Sequence, residues 1–298
     1  MTPPPALSAI VLPDRHPPAA FLADVRAAEA VGVHTVWTYD HLTWTPLADS
    51  PWYGCIPLLA AAAVSTDRVR IGCQVATPNY RHPVPFAKDL MTLDRLCDGR
   101  LELGLGAGVE GADAVVLGGE PLSRGERSRR FEEWIGLLDR LLRDPVTTVR
   151  GPRFSAVDAH QIPGCVQQPR VPFTVAAAGP RGQATVAEYG QAWVTYGPYG
   201  PQVEATEWFT ALTDQSARLS DALLAQGREP ASIRRIAQLA LDVRWPFTSA
   251  ERYVDMLGRL SEVGFAEVTV HWCRPDGRGL SRGALDLVAA AHGLHQPM

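Results

Sequence analysis

The sequence predicts an α/β protein of the (β/α)8 TIM-barrel class, with long loops at the C-terminal face. Three observations lead there. Short β-branched apolar runs alternate with longer stretches of helical apolar spacing, the pattern of repeated βα units around a parallel sheet. Eight such runs fit into the 298 residues. The long connections fall after strands, on the face where such barrels build their sites. A single domain over 1–298 is expected.

Taken in order, the first strand is expected at 7–11. The helix after it carries Phe21, Val25, Ala28 and Val31 on one face and stops at Gly32, a residue type suited to a left-handed cap. A second strand at 35–38 leads into a long loop, 40–55. The alanine-rich run 56–64 is read as a buried helix, since a bilayer span needs about 20 apolar residues. A third strand at 69–76 and a fourth at 101–105 are followed by loops 77–85 and 106–124. Phe131, Ile135, Leu138 and Leu142 then mark another helix. Segment 144–172 is rich in Pro and Gly without a clear period and reads as an insertion. Strands at 173–178, 192–196, 236–243 and 268–271 complete the eight, with a helix ending at Gly264 before the last.

Composition narrows the function classes. Hydrophobic residues at 46% can fill a large core, and a formal charge of −4 without a basic stripe argues against a nucleic-acid partner. Cys55, Cys73, Cys97, Cys165 and Cys273 form no CxxC pair, so neither a zinc site nor a disulfide framework is indicated, and a reducing cytoplasm is expected. The N-terminus lacks the basic residues and apolar run of a secretory signal, and no membrane association is expected. No strand end supplies the His and carboxylate cluster of a metal hydrolase.

The residues with chemical potential cluster at expected strand ends. Asp40 and His41 open a loop that also holds Trp44, Trp52 and Tyr53, which sets an ionisable pair beside flat aromatic surface suited to a planar cofactor. The alternative is a loop histidine satisfied by a neighbour, with the aromatics only packing. Gly72 and Cys73 lie inside the third strand, where a glycine marks either close approach of a ligand or tight barrel packing. Gly104-Leu105-Gly106-Ala107-Gly108 lacks the third glycine of a dinucleotide fingerprint at its proper interval, and that reading is rejected. Its glycines instead leave room for cofactor or substrate, with Glu110 and Asp113 nearby. A strand, then Ala178 and Gly179 to Gly182, then a helix makes an anion site through free backbone N–H groups, to which Arg181 adds charge.

Taken together, these segments resemble the luciferase-like monooxygenase superfamily of flavin-dependent monooxygenases and coenzyme F420-dependent oxidoreductases. The resemblance rests on Ala27-Ala-Glu-Ala-Val-Gly-Val, Tyr39-Asp-His-Leu, Arg68-Val-Arg-Ile-Gly and, most specifically, the stretch from Phe86-Ala-Lys-Asp-Leu through Gly99-Arg-Leu-Glu-Leu to Gly108. Arg127 and Glu133, Val171-Pro-Phe-Thr-Val, and Gly190-Gln-Ala-Trp continue it. It implies a cofactor across the C-terminal mouth of the barrel, with its phosphate at Ala178, Gly179, Arg181 and Gly182. It also implies a non-proline cis peptide near Gly72, Cys73 or Gln74 facing the ring, and His41 beside the ring for proton transfer. Glu110 would be a second acid, although the chain departs from the family after Gly108, reading Val-Glu-Gly-Ala-Asp.

The implied function is hydride transfer between coenzyme F420 and a small organic substrate. The alternatives are an FMN-dependent monooxygenase, which would need a flavin reductase as partner, and a noncatalytic cofactor-binding barrel. Relatives are often homodimers, and the alanine- and arginine-rich composition points to a bacterial source.

Overall fold

The computed structural model describes residues 4–200, 202–274 and 276–294. In chain order, β1 (Ala6–Ile10) and α1 (Pro18–Val31) are followed by β2 (Thr35–Thr38), α2 (Cys55–Ser65), β3 (Arg70–Ala76) and α3 (Pro83–Leu96). Next come β4 (Leu101–Leu105), a short α4 (Ala112–Val115), α5 (Arg124–Arg143), β5 (Val146–Arg150) and β6 (Ser155–His160). The chain continues through β7 (Phe173–Ala176), α6 (Pro180–Tyr189), β8 (Ala192–Thr195), α7 (Ala205–Ala225), β9 (Arg234–Gln238), α8 (Ala250–Glu262), β10 (Glu267–His271) and α9 (Arg282–Ala291). Eight strands close a parallel barrel in the order β1-β10-β9-β8-β7-β4-β3-β2.

The helices pack as their apolar spacing requires. Phe21, Val25, Ala28 and Val31 are the buried residues of α1, and Gly32 takes the left-handed conformation that ends it. On α5 the buried stripe includes Phe131, Ile135, Leu138 and Leu142, and the helix starts in a reciprocal capping box between Ser123 and Glu126. Run 56–64 lies within α2, and no helix among the described residues is long and apolar enough to cross a membrane.

Two expectations change. Segment 144–172 is not periodless throughout, because β5 and β6 pair as an antiparallel hairpin outside the barrel. The strand expected at 236–243 ends at Gln238. Leu239 and Val243 stay buried in the main hydrophobic core beyond the end of the strand, so their apolar character reports burial rather than strand pairing.

The barrel interior is layered. At the N-terminal end, Glu102 on β4 binds Arg70 of β3 at 2.7 Å and Arg234 of β9 at 2.8 Å. Strand β9 lies three places from β4, so the second contact crosses the interior. Above it Trp37, Ile10, Val194 and Ile236 form an apolar layer. Gly72 belongs to this layer: a Cβ there would stand 2.9 Å from the Trp37 ring and 2.2 Å from the Glu102 carbonyl oxygen. Of the two readings of this glycine, the structure gives the packing one.

Candidate functional site

At the C-terminal ends of the strands a polar layer closes the barrel beneath the mouth. Gln74 Nε2 donates to Gln238 Oε1 at 2.6 Å, joining β3 to the strand diametrically opposite. Gln238 Nε2 donates to the Tyr39 hydroxyl at 3.1 Å, and that hydroxyl lies 2.9 Å from His271 Nε2. The Gln74–Val75 peptide is cis, and the pairing register between β3 and β4 shifts between Cys73 and Ala76. Gln74 Oε1 is buried there without a hydrogen-bond partner, which leaves one acceptor of this layer unpaired.

Burial sets the protonation states of this layer. It pushes the Tyr39 phenol well above its ordinary range, so the hydroxyl stays protonated. Burial also holds His271 down to about 3, helped by the positive charges of Arg274 and Arg244. An unfolded chain would protonate this histidine near its ordinary value, 6.5. The unfolded state therefore takes up the proton first, and the stability that neutral His271 contributes is full above about pH 6.5 and declines as pH falls toward 3. Asp24, raised to about 6 mainly by burial, acts in the opposite direction over part of this window, so the histidine is isolated by difference. Between pH 7 and 5, wild-type unfolding free energy should fall by about 2 kcal/mol more than that of His271→Gln. Equal losses in denaturant titrations would remove His271 from the account.

Above this floor stands an aromatic wall. Tyr39 meets Trp44 edge-on at 5.4 Å between ring centroids, and Trp44 lies 5.9 Å from Trp52. His41 sits between them, 5.9 Å from Tyr39 and 6.2 Å from Trp52. Its Nδ1 bonds Asp113 Oδ2 at 2.5 Å, and Trp52 Nε1 donates to its carbonyl at 2.9 Å. Asp113 Oδ1 accepts from the backbone N–H groups of Leu42 and Thr43 at 3.0 and 3.2 Å. The short helix α4 thus carries the carboxylate that orients His41, and the imidazole keeps Nε2 for other partners.

The other residues singled out in the sequence fall around this centre in different ways. Asp40 follows Tyr39 and therefore points the opposite way, into the layer between barrel and helices. There its carboxylate takes Arg81 in a two-bond pair at 2.5 and 2.6 Å. Cys73 likewise turns outward and is buried in the helix-facing core. Gly106 packs beside Val75 of β3, and Gly108 beside Asn79, which joins the loops after β3 and β4. Glu110 is 77% exposed and bonds Arg127 at 2.9 Å.

On the β7 side, α6 begins at Gly179 without a side-chain cap, and Pro180 fills its first position. The N–H groups of Arg181 and Gly182 precede the first intrahelical bond, which Gln183 makes to the Gly179 carbonyl at 3.0 Å. Gly182 is required by contact: a Cβ would come 2.9 Å from that of Ala177. Arg181 is held in a two-bond pair by Glu132 on α5. Two arginines that the sequence did not single out complete the cradle. Arg124 Nη2 lies 3.0 Å from the Cβ position of Gly179, and Arg218 Nη2 donates to the Ala178 carbonyl at 3.3 Å. Both are exposed helix residues with no motif to mark them. The arrangement can bind an anion through backbone donors, a helix dipole and two guanidinium groups. Among the described residues, no group of three or more His, Cys, Asp or Glu is placed to hold a metal ion.

Comparison with known proteins identifies the family. The F420-dependent glucose-6-phosphate dehydrogenase of Beutenbergia cavernae is 34% identical over 219 residues, covering 70% of this chain and 61% of that protein. The limonene 1,2-monooxygenase of Rhodococcus erythropolis is 32% identical over 155 residues, covering 50% of this chain and 38% of that protein. The chain thus spans less than two thirds of the length of these relatives. A solved F420-dependent secondary alcohol dehydrogenase, in complex with an F420-acetone adduct, superposes with a TM-score of 0.80 at 18% identity, covering 97% of this chain and 98% of that one, a likeness of fold. The family model for luciferase-like monooxygenases matches residues 4–288, and the chain belongs to that family.

Proposed function

We propose that this protein is an oxidoreductase that uses coenzyme F420 to exchange a hydride with a small organic substrate. The observation that carries the proposal is the His41–Asp113 pair, set in an aromatic wall above a hydrogen-bonded polar layer, with an anion cradle after β7 on the same face of the barrel. The name of the Beutenbergia cavernae relative, an F420-dependent dehydrogenase, supports the same cofactor. The residues fit it: Gln74 Oε1 offers a buried free acceptor, the wall offers flat apolar surface, and the start of α6 offers donors for a phosphate.

When bound, a deazaflavin supplies a two-electron hydride donor or acceptor. The chain's own residues manage the rest. Asp113 fixes the ring hydrogen of His41 on Nδ1, so Nε2 is the atom that takes a proton from, or gives one to, a substrate oxygen. Trp52 packs beside the imidazole at 6.2 Å between ring centroids, and Tyr39, protonated throughout, holds the floor. His41 carries the proton transfer in this reading, because Glu110 is turned out to Arg127.

Arg124→Ala should weaken F420 binding by about tenfold, since it removes a guanidinium without a carboxylate partner. Arg181→Ala should cost about threefold or less, because Glu132 already compensates its charge. Fluorescence titration would show the order, and a larger loss for Arg181→Ala would contradict it. The function itself is tested by anaerobic incubation with F420 and a panel of small alcohols, aldehydes and sugar phosphates. Substrate-dependent bleaching of the oxidised cofactor with matching product is expected. Turnover only with FMN and oxygen would replace the reading with a monooxygenase, and binding without turnover would make the barrel noncatalytic.

A further inference from the structure

The first two turns of α5 carry Arg124, Arg127, Arg129 and Arg130, and Arg153 comes from the turn of the β5–β6 hairpin. The nearby carboxylates are already engaged. Glu126 bonds Ser123, Glu110 bonds Arg127, Glu132 bonds Arg181, and Glu133 accepts the backbone N–H groups of Arg153 and Phe154. Among the described residues, Arg124, Arg130 and Arg153 have no carboxylate partner. Arg130 is half-buried with its Nε unpartnered, and its Nη2 donates to Asn79 Oδ1. Burial, with Arg153 and Arg127 as like-charged neighbours, holds this guanidinium below its ordinary range. Positive charges gathered and partly desolvated in this way repel one another, and a polyanion would relieve the repulsion.

Position gives the group its ligand. Arg124 touches the anion cradle at Gly179, and Arg130 lies six residues further along α5, about 9 Å at 1.5 Å per residue. Arg130 reaches Asn79 in the loop after β3, whereas Gly179 follows β7 on the other side of β4, so the arginines lead from the cradle toward the β3 side. Coenzyme F420 carries, beyond its phosphate, a chain of γ-linked glutamates with repeated carboxylates. We propose that Arg130 and Arg153, continuing from Arg124, form a binding site for this oligoglutamate tail, so that the protein distinguishes cofactor forms by tail length. The inference rests on the cofactor reading above.

The test is titration of the full chain with F420 bearing one glutamate and with a long-tailed preparation, at low and high salt. The long-tailed form should bind about tenfold tighter at low salt, and the difference should shrink as salt screens the contacts. In the Arg130→Gln, Arg153→Gln double variant both forms should bind with the affinity the wild type shows for the short tail. Arg153→Gln alone, at an exposed position with little effect on folding, should lose about threefold for the long tail only. Equal affinity of the wild type for both forms, or a double variant that keeps the preference, would overturn the tail site and leave the cofactor reading standing. Binding of neither form would overturn both.

Discussion

Replacing His41 by alanine is expected to lower turnover by about 10²- to 10³-fold while changing F420 affinity by less than about threefold. The split follows from where the side chain is anchored. Its Nδ1 is held by Asp113, its backbone by Trp52, and its Nε2 is free for the reacting oxygen, so deletion removes proton transfer without touching the anion cradle. Positioned acid–base groups contribute rates of this order. Asp113→Asn should fall between wild type and His41→Ala. The amide keeps the shape but can present an N–H to the imidazole and favour the wrong tautomer. The pH profile of the hydride-transfer step in single turnovers would then shift as well as drop, which a purely structural role for Asp113 would not produce. Normal single-turnover rates in His41→Ala would remove the residue from the mechanism.

Asp40→Ala is expected to destabilise the fold by about 3 to 5 kcal/mol, because it strands the Arg81 guanidinium in a largely buried position. Asp40 is 2% exposed, and Arg81 stacks 4.9 Å from the Phe86 ring while its carbonyl accepts from Trp134 at 2.7 Å, so the guanidinium cannot swing out cheaply. The ion pair joins the loops after β2 and β3, and the Tyr80 hydroxyl adds a bond to the Asp40 carbonyl at 2.5 Å. Removing both charges in an Asp40→Leu, Arg81→Met variant should cost less than Asp40→Ala alone, since no charge is left unpaired. Denaturant unfolding compares the three proteins. A double variant less stable than the single would mean that the pair acts through packing rather than charge.

The barrel was legible because its strands are buried on both faces and so read as apolar β-branched runs, while the helices bury one stripe each. The hairpin β5–β6 escaped because both strands are mostly exposed, which leaves no alternation to read. In the candidate site, strand alternation separates neighbours that the sequence presents together. Tyr39 and His41 face the mouth, whereas Asp40 between them faces Arg81. The same alternation sends Gln74 inward and Cys73 outward. Asp113 looked like one more loop carboxylate, since its bonds to His41, Leu42 and Thr43 span some 70 positions that nothing local encodes. Arg124 and Arg218 were invisible for a similar reason: an exposed arginine on a helix acquires meaning only from the loop it touches.

The central claim is the cofactor, and side-by-side calorimetric titration of the purified chain with coenzyme F420 and with FMN tests it most directly. F420 is expected to bind, and FMN to bind much more weakly. Tighter binding of FMN, or binding of neither, would contradict it.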